Sequence, residues 1–224
     1  MEEIISLILI ALTMLTTFCL YKILDKRGLY FSMIIMNLIS FVLTFKISTI
    51  LKLNVNLGII PLLATFTIMY LFIIKYGYKE VKNLIIISLY ANAITSLLLI
   101  TMNYFIPAIT ETISINMQGA FEYNFKILIT YPIFLCLSQY ITVKLFKLIK
   151  SIQDNNYICI MLTYIITALL YTVVMYILSY LKTIDIEASI FVGISTYIVG
   201  LAIMIINSIF VNYLTSKKVQ KWEI

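Results

Sequence analysis

The side chains able to do chemistry are few, and each stands alone inside an apolar run. Asn37, Lys46, Asn92, Asn103, Ser138, Gln139, Thr142, Asn207 and Ser208 all interrupt long hydrophobic stretches. An amide or ionisable group in such a setting is costly, faces protein rather than lipid, and marks either a ligand pathway or a packing bond. Gln139 stands near the middle of its stretch, where an amide pairs with the edge of a polar heterocycle or with a neighbouring helix. Lys46 lies near the end of its run; it either meets an acidic or carbonyl group of a substrate or snorkels to the interface. Tyr70, Tyr131, Tyr164 and Tyr171 also lie deep. A buried phenol needs a partner, and an aromatic cage around a flat ligand would supply both stacking and hydrogen bonds.

Other chemistry lacks its parts. The 224 residues contain no histidine, and Cys19, Cys136 and Cys159 share no CxxC spacing. Zinc, haem and Ser-His-Asp sites are therefore without ligands or bases, so no metal and no cofactor is expected. An intramembrane enzyme would need a catalytic dyad or a buried acid pair, and the sequence offers neither; the expected protein is not an enzyme. The cysteines read as small packing residues.

The elements that must position these groups follow from composition. With 62% hydrophobic residues, 12% charged residues and a mean hydropathy of +1.06, the chain cannot cover itself with polar surface. It reads as a single transmembrane domain over 1–224, an all-α bundle of about seven spans at 4–21, 29–51, 57–75, 83–108, 127–149, 157–181 and 188–214. The first run begins Met1-Glu2-Glu3 without a basic leader and is expected to be retained. Alternating the loops puts twelve of the sixteen basic residues on one side, including Lys22, Lys26, Arg27, Lys75, Lys79, Lys82, Lys144, Lys147 and Lys150. That bias predicts an N-out, C-in protein of the cytoplasmic membrane. The net charge of +6 lies between spans rather than on a soluble face, so the expected partner is the bilayer and not nucleic acid. Pro61, Pro107 and Pro132 fall in or near spans three to five and free backbone carbonyls there. The stretch 109–126 reads as a connecting loop, with an interfacial helix or lid as the alternative.

The order of these features resembles the queuosine precursor transporter family, also called the vitamin uptake transporter family. The similarity runs from Tyr21-Lys22-Ile23-Leu24-Asp25-Lys26-Arg27 through Asn37 and Lys46, then Leu57-Gly58, Thr65-Phe66 and Tyr76-Gly77 at the family's spacing. It continues with Ser138-Gln139, Val143, Phe146 and Lys150, with Thr172-Val173, and with Asn207-Ser208-Ile209-Phe210. The chain departs from the pattern at every intramembrane carboxylate: Tyr70 and Ile74 stand in span three, Thr142 in span five, Tyr171 in span six and Asn207 in span seven.

The resemblance implies uptake of a small polar or aromatic compound, in the family a deazaguanine-type nucleobase. It implies a site near the midplane lined by Asn37, Phe66, Tyr70, Ser138, Gln139, Thr142, Tyr171 and Asn207. Gln139, Asn37 and Asn207 would hydrogen-bond the heterocycle edge, and Phe66 and Tyr70 would stack on it. Facilitated diffusion followed by trapping suits a chain without a proton-carrying carboxylate. The rival expectation is a non-transporting or substrate-binding membrane subunit, partnered by copies of itself or by an energising ATPase subunit that meets the basic loops Lys75–Lys82 or Lys144–Lys150.

Overall fold

The structure, a computed structural model, describes residues 2–102, 125–179 and 186–215. Seven helices in it are long and apolar enough to cross a membrane. They are α1 (Glu2–Leu24), α2 (Lys26–Leu43), α3 (Ile59–Tyr76), α4 (Tyr78–Met102), α5 (Phe125–Lys150), α6 (Asn156–Ser179) and α7 (Ile186–Thr215). Pro107 and the 109–126 loop lie outside the described residues, apart from the first two residues of α5.

Helix α3 is the axis. Every residue from Ile59 to Ile73 is buried, and 83% of its apolar window is enclosed where no other span exceeds 44%. A helix that is hydrophobic all round is stable only when other helices surround it. Here α1, α2, α4, α5 and α7 pack against it, and α6 closes the ring between α5 and α7. The outer helices keep bulky apolar side chains on their outward faces, such as Leu12, Ile94, Ile133 and Ile209, as a lipid solvent requires.

One expectation is corrected. The second span does not reach residue 51: α2 ends at Leu43, and an antiparallel hairpin follows, β1 (Ile47–Ile50) on β2 (Leu53–Asn56) with Ile47 opposite Asn56 and Ile50 opposite Leu53. Ile47, Thr49 and Ile50, all β-branched, favour a pleated strand over a helix. Leu51 and Lys52, at φ of 51° and 65°, make the two-residue reversal that suits the twist of a tight hairpin. The bundle is therefore not purely helical. The hairpin caps one end, with β1 against α1 and β2 against α7.

The opposite end is rich in lysine and carries two elbows. Between α1 and α2, Asp25 adopts φ 51°, and a side chain on Gly28 would collide with the Leu20 carbonyl oxygen at 1.8 Å. Between α3 and α4, Gly77 turns at φ 85°, a region that costs glycine little. The elbows are tied together: the Tyr76 hydroxyl donates to Asp25 Oδ1, Lys75 Nζ donates to the Tyr21 hydroxyl at 2.6 Å, and Lys26 pairs with Glu80 at 2.9 Å.

The two internal prolines are accommodated differently. Pro61 sits in the first turn of α3, where its missing N–H is no loss. Pro132 lies inside α5 and cannot serve the carbonyl of Leu128. Ser96 of α4 donates its hydroxyl to that carbonyl instead.

Candidate functional site

Asn37, Gln139 and Ser88 meet in the middle of the bundle. Asn37 lies about 16 Å above the start of α2 by helical rise, and Gln139 a similar distance from the end of α5. All three are buried at 1% exposure or less. Gln139 Nε2 donates to Asn37 Oδ1 at 3.2 Å, Asn37 Nδ2 donates to Ser88 Oγ, and Asn92 Nδ2 donates to the Ser88 carbonyl at 2.8 Å. The first two bonds join α2, α4 and α5, each worth on the order of 1 kcal/mol in a membrane interior. Gln139 Oε1 and Asn92 Oδ1 are left buried with no hydrogen-bond partner.

A second group of orphaned polar atoms lines the aromatic interior around α3. Tyr70 on α3 and Tyr164 on α6 are both fully enclosed, and neither hydroxyl has a partner. The Tyr70 ring lies 5.3 Å from Phe146 of α5, and Phe66 meets Tyr164 edge-on at 6.5 Å. Gly200 on α7 makes room for the Tyr164 hydroxyl, which would stand 2.8 Å from any added Cβ. An unsatisfied buried hydroxyl or amide costs about 1–3 kcal/mol, so this concentration of them is expensive for packing alone.

The remaining expected residues divide. Thr142 is buried, but its hydroxyl returns to the Ser138 carbonyl at 2.7 Å within α5. Ser138 likewise bonds the Leu135 carbonyl and, with Tyr171, Thr167 and Phe134, borders a cavity of about 40 Å³ between α5 and α6. Asn207 is buried on α7, where Nδ2 reaches Met204 Sδ at 3.8 Å and shares no hydrogen bond with the amide cluster. Lys46 is exposed beyond the end of α2 rather than inside a span. Asn103 lies outside the described residues.

The hairpin end is closed by a continuous chain of hydrogen bonds. The Asn56 side chain accepts from the Gly58 N–H at 2.9 Å and donates to the Thr44 carbonyl at 2.9 Å, while its backbone N–H donates to Thr196 Oγ1 of α7 at 3.1 Å. Ser40 Oγ donates to the Gly58 carbonyl at 2.8 Å and accepts from the Tyr131 hydroxyl at 2.9 Å. The Tyr131 ring stacks on Phe41 at 4.7 Å. Glycine at 58 is required by closeness: a Cβ there would stand 2.4 Å from Thr44 Oγ1.

The electrostatics of the interior are simple. Among the described residues the only buried Lys, Arg, Asp or Glu is Lys22, at the lysine-rich end, so no carboxylate is buried. No group of three or more His, Cys, Asp or Glu could hold a metal ion among them. That neutral interior holds an unused acceptor at Gln139 and unused hydroxyls at Tyr70 and Tyr164. No protein-family model, curated protein or solved structure matches the chain. The functional reading therefore rests on the chain's own residues and motifs.

Sequence reading named Asn37, Gln139, Phe66 and Tyr70, and missed Ser88 and the role of Asn56. It noted Tyr164 only as a deep tyrosine. A serine in an apolar run has no local signature of a cross-helix bond, since its partner stands far away in the chain. Asn56 is visible as the turn-forming side chain two residues before Gly58.

Proposed function

We propose that this protein is a multi-pass transporter of the cytoplasmic membrane, oriented N-out and C-in, that takes up a small polar aromatic compound. By motif resemblance the cargo is a queuosine precursor, a deazaguanine-type nucleobase. The observation that supports this most is the free carbonyl oxygen of Gln139 at the midplane, buried beside the amide of Asn37. A heterocycle N–H would donate to Gln139 Oε1, ring acceptors would receive the Tyr70 and Tyr164 hydroxyls, and Phe66 would pack against the ring. A neutral interior suits a neutral cargo moving down its gradient and trapped inside by later chemistry.

Gln139→Leu tests the reading, because leucine keeps the bulk and removes both hydrogen-bonding ends. Cells lacking their own uptake, supplied with labelled queuosine precursor, are expected to accumulate it with the parent protein and to lose at least about tenfold of that with Gln139→Leu at equal membrane expression. Accumulation that survives the substitution would move the site elsewhere.

A second reading is a substrate-binding membrane subunit energised by a soluble ATPase. It is favoured by the meeting of the two basic loops, where Lys147 lies 5.8 Å over the Tyr78 ring and merges them into one surface. Co-purification of ATP-hydrolysing activity that Lys79→Glu/Lys147→Glu abolishes would favour it over independent transport.

A further inference from the structure

A groove of about 400 Å³ runs along the outward face between α4 and α5. Ile85, Ile86, Ile133, Leu137 and Tyr140 wall it, and Lys82 stands at one end. The register of the two helices is fixed, since Ser88 and Gln139 both engage Asn37 and Ser96 engages Leu128. The helices are antiparallel, so Lys82, six positions before Ser88, and Lys144, five beyond Gln139, come to the same level. That level is about 8–9 Å from the midplane amides toward the lysine-rich end, from which a lysine stem reaches the headgroups of a bilayer whose half-thickness is about 15 Å.

Charge at this end of the groove is uncompensated. Lys144 Nζ lies 4.7 Å over the ring of Tyr140, a groove wall, which brings it to the groove mouth. Among the described residues neither Lys82 nor Lys144 pairs with a carboxylate, whereas Lys26 does so with Glu80. Both lysines are exposed, as are Ile86, Ile133 and Leu137. An apolar furrow at acyl-chain depth that ends in two ammonium groups at headgroup depth has the two-part chemistry of one kind of molecule.

We propose that the α4–α5 groove binds an anionic phospholipid of the leaflet on the lysine-rich side. One acyl chain lies between Ile86 and Leu137, and Lys82 and Lys144 hold the phosphate. The site is independent of what the interior transports. Its lipid would brace α4 and α5, the helices that carry Ser88 and Gln139.

The test uses the whole protein in nanodiscs of phosphatidylcholine alone and of equal parts phosphatidylcholine and phosphatidylglycerol, read by native mass spectrometry of retained lipid and by thermal unfolding. The parent protein is expected to retain phosphatidylglycerol and to unfold at a higher temperature in the mixed discs. Lys82→Gln/Lys144→Gln should weaken retention by about thirtyfold, from roughly a kilocalorie per lysine at a charged surface. Leu137→Trp, which fills the groove without touching charge, should also lose retention. Arg27→Gln removes a charge at the same end of the bundle but away from the groove, and should behave as the parent. The proposal is overturned if the double variant retains lipid as the parent does, or if Arg27→Gln loses as much as the double variant.

Discussion

Deleting the Tyr70 hydroxyl removes a buried polar atom that has no partner, so stability and function should move apart. Tyr70→Phe is expected to leave unfolding unchanged or to stabilise the protein by up to about 1 kcal/mol, while uptake of the labelled precursor falls severalfold. Loss of both stability and uptake would instead mark the hydroxyl as structural. Asn56 makes the opposite forecast. Its side chain serves both the Thr44 carbonyl and the Gly58 N–H, so Asn56→Ala should cost about 2–3 kcal/mol in thermal unfolding. Individual polar residues were readable from sequence where their surroundings made them conspicuous, as for Asn37 and Gln139. Their pairing was not, because a contact between positions 37 and 139 leaves no trace in either local stretch.

Helix ends and crossings carry a different kind of information. Outside the second and fourth spans, the helices begin and end within three residues of the positions that length and hydropathy suggest, whereas α4 begins at Tyr78, five residues before the expected 83. The second departs for a physical reason. Residues 45–50 are apolar enough to prolong a hydropathy run, and only their β-branched character betrays a strand. The proline in α5 gives a sharp test at this level. Ser96→Ala should destabilise by about 1–3 kcal/mol by stranding the Leu128 carbonyl. In the Pro132→Ala background the same substitution should cost much less, since the alanine supplies its own N–H to that carbonyl. Additive losses in this double-mutant cycle, measured by thermal unfolding, would show that Ser96 does not stand in for the missing donor. Gly28→Ala should also destabilise strongly, given a Cβ placed against the α1 backbone.

Taken as one body, the bundle has unlike ends: a hairpin cap with a polar chain through Asn56, and a lysine-rich end with two tied elbows. The charge bias predicts that the hairpin end faces outward. In a cysteine-free background, Lys52→Cys at the hairpin turn should react with a membrane-impermeant maleimide in intact cells, and Lys147→Cys only after permeabilisation. The reverse pattern would overturn the proposed N-out, C-in orientation. The same uneven distribution of charge was visible from the sequence, whereas the central place of α3 emerges only from packing, although its unbroken apolar run is consistent with it.

The bond from Ser96 to Leu128 also bears on how the chain is made. α5 has a backbone acceptor that its own turn cannot serve, so in hydrocarbon it is incomplete alone. α4 precedes it in the chain and carries the missing donor. As synthesis proceeds from the N-terminus, α4 is made before α5, so the donor that completes α5 exists before the acceptor that needs it.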